Sequence, residues 1–333
     1  MSFLAFAALA AKQPLVSYPY QPQPLRPQDV EIEISHCGIC HSDLHLIDND
    51  WATSVYPLVP GHEIIGTVAE VGADCTLAPG QRVGVGWQRS SCGECEFCRA
   101  GEENLCPRQE ATCVGHMGGF ARRIRLDGRF AFPIPATLDS AAAAPLLCAG
   151  VTVFAPMRRW KVRAGMKVGV IGIGGLGSLA LRFLRALGCH STAFTSSPDK
   201  REAALSLGAD EVASSTNAKE IRALANRFDF LLCTVPARLD WITYLLTLKP
   251  NGILCLVGAP PGVMQILAGP LLSGQRILCG SDIGSPGMIR ETLGFAAEHG
   301  ITAQVETAPL DEVNAALQRV RNNQVRYRMV LTR

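Results

Sequence analysis

The sequence has almost no excess of charge of either sign. Its 333 residues include 31 lysines and arginines against 29 aspartates and glutamates, a formal net charge of +2. No run of basic residues stands out, so neither a nucleic-acid partner nor an anionic membrane surface is indicated. Only 18% of the residues are charged and 48% are hydrophobic. This balance excludes a disordered protein and leaves enough apolar side chains for sizeable cores.

The chain also lacks a segment with the pattern of a membrane span or of a secretory signal. The apolar run 141–157 contains Pro145, Gly150 and Pro156, which predict a buried, broken segment. The N-terminal run MSFLAFAALAAKQP resembles a signal peptide in its apolar residues but has no positively charged region before them. We interpret it as a first β-strand and expect a cytoplasmic protein without a membrane partner.

No internal repeat is visible, and the character of the chain changes once, near residue 150. A chain of this length fits about two domains. The first part has short apolar runs between Pro and Gly turns, and strands are predicted at 30–34, 64–71, 82–85 and 121–126. The second part alternates strand-like and helical patterns, which is typical of βαβ units and a parallel sheet. Its predicted strands are 167–171, 191–195, 228–234, 253–257 and 277–280, its predicted helices are 177–187 and 199–207, and two further helices and a strand at 328–332 follow.

Cysteine is the residue that the chain has in excess. There are thirteen, an odd number, and several lie in apolar runs, such as Cys233, Cys255 and Cys279. A secreted disulfide scaffold is usually shorter and has an even number of cysteines. We therefore expect reduced thiols and bound metal.

Four of the cysteines lie together in the stretch SCGECEFCRAGEENLCP and have the spacing of a zinc site. They are Cys92, Cys95, Cys98 and Cys106. Four thiolates complete the tetrahedral coordination of Zn²⁺, so no position is left for a substrate and the predicted zinc is structural. Gly93 and Gly101 allow the loop to turn tightly around the ion. The alternatives are a disulfide pair or four unrelated thiols.

A glycine-rich motif joins the predicted strand KVGVIG to a helical pattern. Gly172, Gly174 and Gly177 have the G-x-G-x-x-G spacing of a dinucleotide-binding turn. The first glycine makes the turn, the second lets the backbone approach a pyrophosphate, and the third lets the helix pack on the strand. Because the motif opens a run of βαβ units, it predicts a dinucleotide site at the N-terminus of the helix.

The end of the next strand indicates which dinucleotide is bound. An NAD enzyme usually has Asp or Glu near Thr195, where this chain has Thr195, Ser196 and Ser197 followed by Lys200 and Arg201. Hydroxyls and nearby cations suit the 2′-phosphate of NADP. The alternative is that Asp199 takes the place of the missing carboxylate.

A second group of metal-binding residue types is dispersed along the chain. The run HCGICHSDLH contains Cys37, Cys40, His41, Ser42, Asp43 and His45, PGHEIIG contains His62 and Glu63, and Cys148 lies in an apolar run. Two thiolates and one imidazole would leave a fourth zinc position open to water or substrate, as in a catalytic site. Taken by itself, Cys148 also fits an inert thiol of the core.

Taken together, these motifs resemble the zinc-dependent medium-chain alcohol dehydrogenases over essentially the whole chain. The similarity is greatest to the cinnamyl-alcohol-dehydrogenase group and its bacterial broad-range aldehyde reductases. The matching segments are CGICHSDLH, VPGHEIIGTVAEVG, the four-cysteine loop, APLLCAGVTVF, VGVIGIGGLG, FTSSPDKR and VRYRMVL. The resemblance implies an α/β protein with a GroES-like β-rich catalytic domain, 1–149 and 287–333, and a Rossmann domain with a doubly wound parallel sheet, 150–286.

The resemblance also implies a role for each candidate residue. Two zinc ions are expected per chain, the catalytic one held by Cys40, His62 and Cys148. Glu63 matches the acid beside the ligand histidine, Asp43 a carboxylate that orients a histidine ligand, Ser42 and His45 a proton relay, and Trp51 and Trp87 the wall of the substrate pocket. The positions implied for NADP(H) are Gly172, Gly174, Gly175, Leu176, Gly177, Thr195, Ser196, Ser197, Lys200, Thr152, Val257 and Ile283.

Two departures from the family pattern affect these expectations. The chain is shorter than the cinnamyl-type pattern between Cys106 and the GHMGGFA segment, near the expected substrate cleft. Asp282 stands where the group usually has a bulky apolar residue. The first departure bears on the loop near the substrate cleft, and the second on substrate preference or on subunit contacts.

The implied activity is hydride transfer between NADP(H) and a primary alcohol or aldehyde, with aldehyde reduction as the working direction. A polyol or amino-alcohol dehydrogenase of the same superfamily is the nearer alternative, and a non-catalytic zinc-binding structural or regulatory protein is the more distant one. A homodimer is also implied, because strand 277–280 ends the parallel sheet in the family and an apolar edge favours pairing across a two-fold axis.

Overall fold

The computed structural model describes residues 2–197, 199–260 and 262–333. The chain divides into two compact units, of which the first comprises Met1–Val151 and Gly284–Arg333 and the second Thr152–Ile283. These boundaries lie close to the expected ones, after residue 149 and before residue 287.

The strands and helices follow in chain order. The strands are β1 Phe3–Ala7, β2 Val16–Tyr20, β3 Asp29–Ile39, β4 Glu63–Val71, β5 Arg82–Val85, β6 Gln88–Ser90, β7 Glu110–Ala111, β8 Arg123–Asp127, β9 Ala131–Pro133, β10 Lys167–Ile171, β11 His190–Thr195, β12 Glu211–Ser214, β13 Phe228–Cys233, β14 Leu248–Leu256, β15 Ile277–Gly280, β16 Val305–Pro309 and β17 Arg328–Thr332. The helices are α1 His41–Asp48, α2 Glu96–Arg99, α3 Ser140–Ala143, α4 Ala149–Arg159, α5 Gly175–Ala186, α6 Lys200–Ser206, α7 Ala218–Ala223, α8 Trp241–Thr247, α9 Ala268–Gly274, α10 Pro286–Glu298 and α11 Val313–Arg321.

The first unit is organised around β3, the longest strand of its main sheet. The order of this sheet is β16-β17-β3-β4-β5-β9, and β8 also pairs with β3. β16 and β17 run parallel to each other, whereas β3 pairs antiparallel with β17, β4 and β8. Val30, Ile32 and Ile34 alternate along β3 and are buried, as the period of a strand requires. β3 therefore supplies the core of the unit and leads directly into Cys40.

The second unit is a parallel sheet of the doubly wound kind. Its order is β12-β11-β10-β13-β14-β15, and every neighbouring pair is parallel. In order of appearance this is 3-2-1-4-5-6, the arrangement of dinucleotide-binding sheets. The direction of winding reverses between β10 and β13, and ligands of such sheets bind at the carboxyl ends of the strands at that point.

Most of the predicted elements are present, with shifted ends. The N-terminal apolar run forms β1, and the strands predicted at 82–85, 167–171, 277–280 and 328–332 have the observed bounds. The strand predicted at 121–126 is wrong by two residues at its start, because it is β8, Arg123–Asp127, that pairs with β3. The helix predicted from 177 begins at Gly175, since the turn of the glycine motif ends earlier. The prediction missed β16, whose burial does not alternate cleanly.

The apolar run between 140 and 159 is broken, as predicted, but the break lies at Cys148. A short 3₁₀ helix, Ala144–Leu147, ends there, and α4 continues through Pro156. In the described part of the chain no single helix is long and apolar enough to cross a membrane; one bent pair, Ser140–Leu147 with Ala149–Arg159, meets the length and composition requirements.

Candidate active site

The start of helix α1 places the first group of candidate residues. Cys40 is the N-cap of the helix and keeps an extended backbone, with φ −102° and ψ 156°. The Asp43 carboxylate accepts a hydrogen bond from the Cys40 amide at 2.8 Å. This reciprocal cap fixes the first turn of α1 and thereby the direction of the Cys40 side chain.

Four buried side chains form a cluster of possible metal ligands in the first unit. One ligand atom from each of Cys40, His62, Glu63 and Cys148 lies within 4.8 Å of the others. The exposed fraction is 8% for Cys148 and lower for the other three. His62 Nε2 and Glu63 Oε2 are buried without a hydrogen-bond partner among the described residues. Unpaired buried polar atoms are costly, and a cation between these donors would satisfy them.

Asp43 determines which nitrogen of His62 faces the cluster. Its carboxylate contacts His62 Nδ1 at 3.1 Å and accepts a hydrogen bond from the Gly61 amide at 2.9 Å. With Nδ1 as the donor, Nε2 is left as the ligand atom of a neutral imidazole. The arrangement matches the orienting role expected for Asp43.

The charges and hydrogen bonds around the cluster favour a bound cation. Burial lowers the pKa of His62, but Asp43 and Cys148 outweigh burial and hold that pKa well above its ordinary value. The pKa of Cys40 lies well below its ordinary value, chiefly because the Cys148 thiol donates a hydrogen bond to it. Thiolate and imidazole donors in tetrahedral reach of one another suit Zn²⁺, so the residues fit the expected metal.

The predicted proton relay lies on the same helix. Ser42 and His45 are three residues apart on α1 and therefore share one face of it. The Ser42 hydroxyl lies 3.6 Å from Cys40 Sγ. His45 Nδ1 lies 2.7 Å from the carboxylate of Asp50, an acid that the sequence analysis did not single out.

Trp51 and Trp87 form an aromatic wall beside these residues. Their ring centroids lie 6.3 Å apart in an edge-to-face contact. Trp51 packs against the His45 ring at 5.2 Å, and Trp87 meets His62 at 4.9 Å. Trp51 is 41% exposed, which gives the wall an accessible end.

The four-cysteine loop is folded as a metal site. The sulfur atoms of Cys92, Cys95, Cys98 and Cys106 lie within 4.8 Å of one another. Cys92 Sγ lies 3.8 Å from Cys98 Sγ and 3.5 Å from Cys106 Sγ. Bonds of about 2.3 Å to a tetrahedral Zn²⁺ would place two sulfurs about 3.8 Å apart, so the loop fits zinc. Gly93 and Gly101 have positive φ values of 73° and 76° at its turns.

The thiols of this loop have different hydrogen-bond environments. The pKa of Cys92 falls to about 6, first because the Glu94 amide donates to its sulfur. The amides of Cys95 and Cys98 also point at sulfur atoms, at 3.3 and 3.5 Å. Such amide donors stabilise thiolates and are available before any metal arrives.

The glycine motif lies at the point where the strand order of the parallel sheet reverses. Gly172 follows β10 with φ 93°, and the Thr234 hydroxyl at the end of β13 donates to its carbonyl at 2.9 Å. A Cβ atom on Gly177 would lie 1.9 Å from that same carbonyl oxygen. Gly174, the N-cap of α5, has no side-chain cap and nothing within 4 Å of a Cβ position. Gly175 and Leu176 begin α5, and the first amides of a helix lack acceptors within it, which suits a pyrophosphate.

The turn after β11 carries the residues expected to distinguish NADP from NAD. Thr195 is buried and accepts a hydrogen bond from the Ser197 amide at 3.2 Å. Ser196 and Lys200 are exposed, and Asp199 lies 3.5 Å from the Ser197 hydroxyl. The Asp199 carboxylate is therefore directed at the turn, which leaves hydroxyls and one ammonium group accessible.

The three remaining cofactor candidates lie near the ends of the second unit and of its strands. Thr152 is buried in α4. Val257 follows β14, and its amide donates to the Cys233 carbonyl at 3.0 Å. Ile283 has φ 37°, which a β-branched residue rarely adopts. A strained backbone of this kind is typical of functional positions.

Sequence comparisons match both parts of the chain to known domain families. The alcohol dehydrogenase GroES-like domain matches residues 26–136, and the zinc-binding dehydrogenase domain matches 175–298. The aldehyde reductase AdhA of Synechocystis is 44% identical, over 98% of this chain and 98% of that protein. The aldehyde reductase YahK of Escherichia coli is 44% identical, over 99% and 98%.

Solved structures show the same family. A cinnamyl alcohol dehydrogenase from Sorghum bicolor superposes with a TM-score of 0.96 at 38% identity, covering 100% of this chain and 98% of that one. An enzyme of the same name from Helicobacter pylori, complexed with NADP(H), has a TM-score of 0.93 at 31% identity, covering 100% and 98%. This chain belongs to the zinc-binding alcohol dehydrogenases. The predicted family, fold class and class of enzyme are thereby confirmed.

In this alcohol dehydrogenase the structure adds one partner that the sequence analysis missed. Arg328, on β17, forms a buried ion pair with Glu63 Oε1, and both side chains are at most 4% exposed. It lies 265 positions from Glu63 in the chain. The sequence hinted at this contact only by placing an arginine at the start of a mostly apolar strand. The pair leaves Glu63 Oε2 directed at the metal ligands.

Cys113 is a second residue that the sequence analysis missed. Its sulfur lies within 4.8 Å of ligand atoms of Asp43 and His62. Burial raises the pKa of Cys113, and contact with His62 partly offsets that effect. Its place in the short segment after Cys106 gave no hint of this contact, because the segment carries no periodic pattern.

Proposed function

We propose that this protein reduces a broad range of aldehydes to primary alcohols with NADPH, at a zinc ion held by Cys40, His62 and Cys148. The observation that carries the proposal is the buried set of two thiols and one oriented imidazole, with His62 Nε2 unpaired. Three protein ligands leave one zinc position for the substrate oxygen, whereas the four-cysteine loop leaves none. The first site is therefore proposed as catalytic and the second as structural.

The chemistry of the site follows from its residues. Cys40, His62 and Cys148 would hold the zinc ion, which would supply a Lewis acid for the aldehyde oxygen. Ser42, beside Cys40, is placed to donate its hydroxyl proton to the oxygen of the product alcohol. His45 is proposed as the next group of the proton relay, and the carboxylate of Asp50, 2.7 Å from Nδ1, holds its ring in place. The Arg328 guanidinium lies against the Glu63 carboxylate inside the core and offsets the cost of burying its charge.

NADPH is proposed as the hydride donor because the turn after β11 suits its 2′-phosphate. Ser196, Ser197 and Lys200 offer two hydroxyls and one cation there. Asp199, the one carboxylate in that turn, lies against the Ser197 hydroxyl. The Helicobacter pylori relative that binds NADP(H) supports the same assignment.

The substrate class is proposed from the aromatic wall and from the relatives. Trp51 and Trp87 offer ring faces and edges but no charged group, so they suit apolar and aromatic aldehydes. A polyol would place several hydroxyls against these rings without partners. The relatives named aldehyde reductase and cinnamyl alcohol dehydrogenase point in the same direction.

A substrate panel tests the proposal. The zinc-loaded enzyme is assayed with NADPH and aromatic or short aliphatic aldehydes, and with NADP⁺ and polyols or amino alcohols. We expect higher kcat/KM for the aldehydes, and a loss of about 10²–10⁴-fold in Ser42→Ala, the size typical of a proton-transfer group. Ser54→Ala is the matched control, because the Ser54 hydroxyl donates to the Leu46 carbonyl at the far end of α1. A preference for polyols, or an unimpaired Ser42→Ala enzyme, contradicts the proposal.

A homodimer in the cytoplasm is also part of the proposal. β15 ends the parallel sheet, and Ile277 on it and Leu272 just before it are 38% and 77% exposed. Pairing two such edges would cover this apolar surface. All thirteen cysteines, which lie in the described part of the chain, are free thiols, and this supports a reducing compartment.

A further inference from the structure

Two cysteines that the proposed reaction does not use lie side by side in the second unit. Cys255 on β14 and Cys279 on β15 are direct neighbours in the parallel register of the two strands. Neighbouring strands lie about 4.8 Å apart, and disulfides bridge Cα atoms about 4.4–6.8 Å apart. Side chains that face each other in register point to the same side of the sheet. The pair therefore lies within bridging reach without a change of register.

The surroundings distinguish the two thiols. Cys255 is fully buried, whereas Cys279 is partly exposed on the edge strand. The indole N–H of Trp160 is buried without a hydrogen-bond partner among the described residues, and it lies near enough to the Cys279 thiol to help lower the pKa of Cys279. The hydrogen bond from Cys255 contributes most to lowering the pKa of Cys279, burial opposes it, and Trp160 and the Arg159 charge add to it. Cys279 is thus the more nucleophilic and the more accessible thiol of the pair.

We infer that Cys255 and Cys279 form an oxidation site, at which a hydroperoxide converts the two thiols into an intrachain disulfide. The Cys279 thiolate attacks one oxygen of hydrogen peroxide, the O–O bond breaks, and hydroxide leaves, giving a sulfenic acid. The Cys255 sulfur then attacks the Cys279 sulfur, the S–O bond breaks, and the proton of Cys255 leaves with the hydroxyl as water. Two thiols are oxidised, one peroxide is reduced, and a thiol reductant reverses the reaction.

The site is compatible with the proposed dimer. Two sheet edges pair through backbone groups of β15, whereas the Cys279 thiol lies on the face of the sheet beside Cys255 and Trp160. The two cysteines are also distant in sequence from every proposed zinc ligand. Oxidation at this pair is therefore separable from oxidation of the metal sites.

Peptide mapping of the zinc-loaded protein tests the inference. The protein is treated with hydrogen peroxide in slight molar excess, alkylated, and digested with trypsin without reduction; Arg276 lies between the two cysteines and provides a cleavage site. We expect one linked pair of peptides that contains Cys255 and Cys279, has lost two hydrogens, and separates on reduction. Zinc released during the treatment is measured in parallel and should stay small.

Variants identify the attacking thiol. Cys279→Ser should abolish the linked peptides, and Cys255→Ser should leave a sulfenic acid on Cys279 that a dimedone probe labels. Cys189→Ser is the matched control, because Cys189 is a buried thiol of the same unit that donates to the Arg163 carbonyl. It should form the link as the wild type does. The inference is overturned if wild-type protein loses zinc-ligand thiols without forming the link, or if Cys279 links only to Cys279 of a second chain.

Discussion

At the scale of single residues, the candidate site depends on groups that hold the metal ligands in place. Asp43 joins Cys40, Gly61 and His62 through three contacts of 2.8–3.1 Å. Arg328 contacts the Glu63 carboxylate in a fully buried position. Neither group is proposed as a direct ligand, yet Asp43 contacts the proposed ligands Cys40 and His62, and Arg328 holds the Glu63 side chain beside them. Such supporting contacts commonly affect metal affinity and activity as strongly as the ligands themselves.

The buried ion pair gives the first prediction. Arg328→Met should lower the free energy of unfolding by about 3–5 kcal/mol, because it leaves the Glu63 carboxylate buried without its partner. Arg333→Met is the control: it removes an exposed arginine that pairs with Glu33 between the C-terminus and β3, and should cost at most about 1 kcal/mol. Urea unfolding of the zinc-loaded proteins measures both. Equal losses in the two variants would show that burial of the pair has no special weight.

The proposed 2′-phosphate contact gives the second prediction. Lys200→Ala should weaken NADPH binding about ten- to a hundredfold, which corresponds to about 1.5–3 kcal/mol for one charge-assisted hydrogen bond, and should leave NADH binding unchanged. Arg201→Ala is the control, because the Arg201 guanidinium donates to the Val212 carbonyl at 3.1 Å. Fluorescence titration with both cofactors measures the dissociation constants. A similar loss for NADPH and NADH would remove Lys200 from the phosphate site.

At the scale of elements, the N-terminus of α5 shows how one motif can serve both folding and binding. Gly177 lies against the Gly172 carbonyl, whereas Gly174 faces open space. A side chain is therefore excluded at the two positions for different reasons. At Gly177 it would collide with the backbone of the protein itself, whereas at Gly174 it would occupy space that a ligand needs.

The third prediction separates these reasons by adding one methyl group. Gly177→Ala should destabilise the second unit, because its Cβ would lie 1.9 Å from a backbone oxygen. Gly174→Ala should leave the melting temperature nearly unchanged but weaken cofactor binding, since the methyl group occupies the space left for the pyrophosphate. Thermal unfolding without cofactor and NADPH titration give the two readouts. Wild-type affinity in a stable Gly174→Ala protein would place the pyrophosphate elsewhere.

The two cysteine clusters are distinct elements and give the fourth prediction. Cys106→Ser should reduce the zinc content from two ions to one and lower stability, because a structural zinc contributes directly to folding. Cys148→Ser should also remove one zinc but mainly abolish activity, since its cluster is held by the surrounding core. Elemental analysis with thermal unfolding distinguishes them. A single zinc in active wild-type enzyme would contradict the proposed pair of sites.

At the scale of the whole molecule, the edge of the parallel sheet determines the proposed assembly. Arg276, beside β15, is bound within its own unit to the carbonyls of Leu248 and Pro270 and to Asn226. The Arg276 guanidinium is thus bound within its own chain. The exposed apolar side chains of Leu272 and Ile277 form the surface that a second chain would cover.

The fifth prediction is that light scattering gives a mass of about twice the 35.6 kDa of one chain at micromolar concentration. Ile277→Lys should shift the protein toward the monomer, because a charged side chain blocks pairing of the edges. Val16→Lys, at an exposed position of β2 in the other unit, is the control and should keep the mass of the dimer. A wild-type monomer would mean that the β15 edge does not pair.

The sequence by itself determined the parts of this protein whose signals are local. The four-cysteine loop, the glycine turn and the strands at 82–85, 167–171 and 277–280 each depend on residues close together in the chain, so spacing and periodicity predict them.

Only the tertiary structure decided which distant residues meet. Arg328 reaches Glu63, Cys113 reaches His62, and Cys255 lies beside Cys279, because strand pairing and sheet register bring together residues that no spacing rule connects. Register is fixed by the burial of a whole strand face rather than by any one residue, since a shift by one position would turn every side chain to the opposite face. The family resemblance could therefore suggest the candidate ligands, whereas the residues that hold and surround them required the fold.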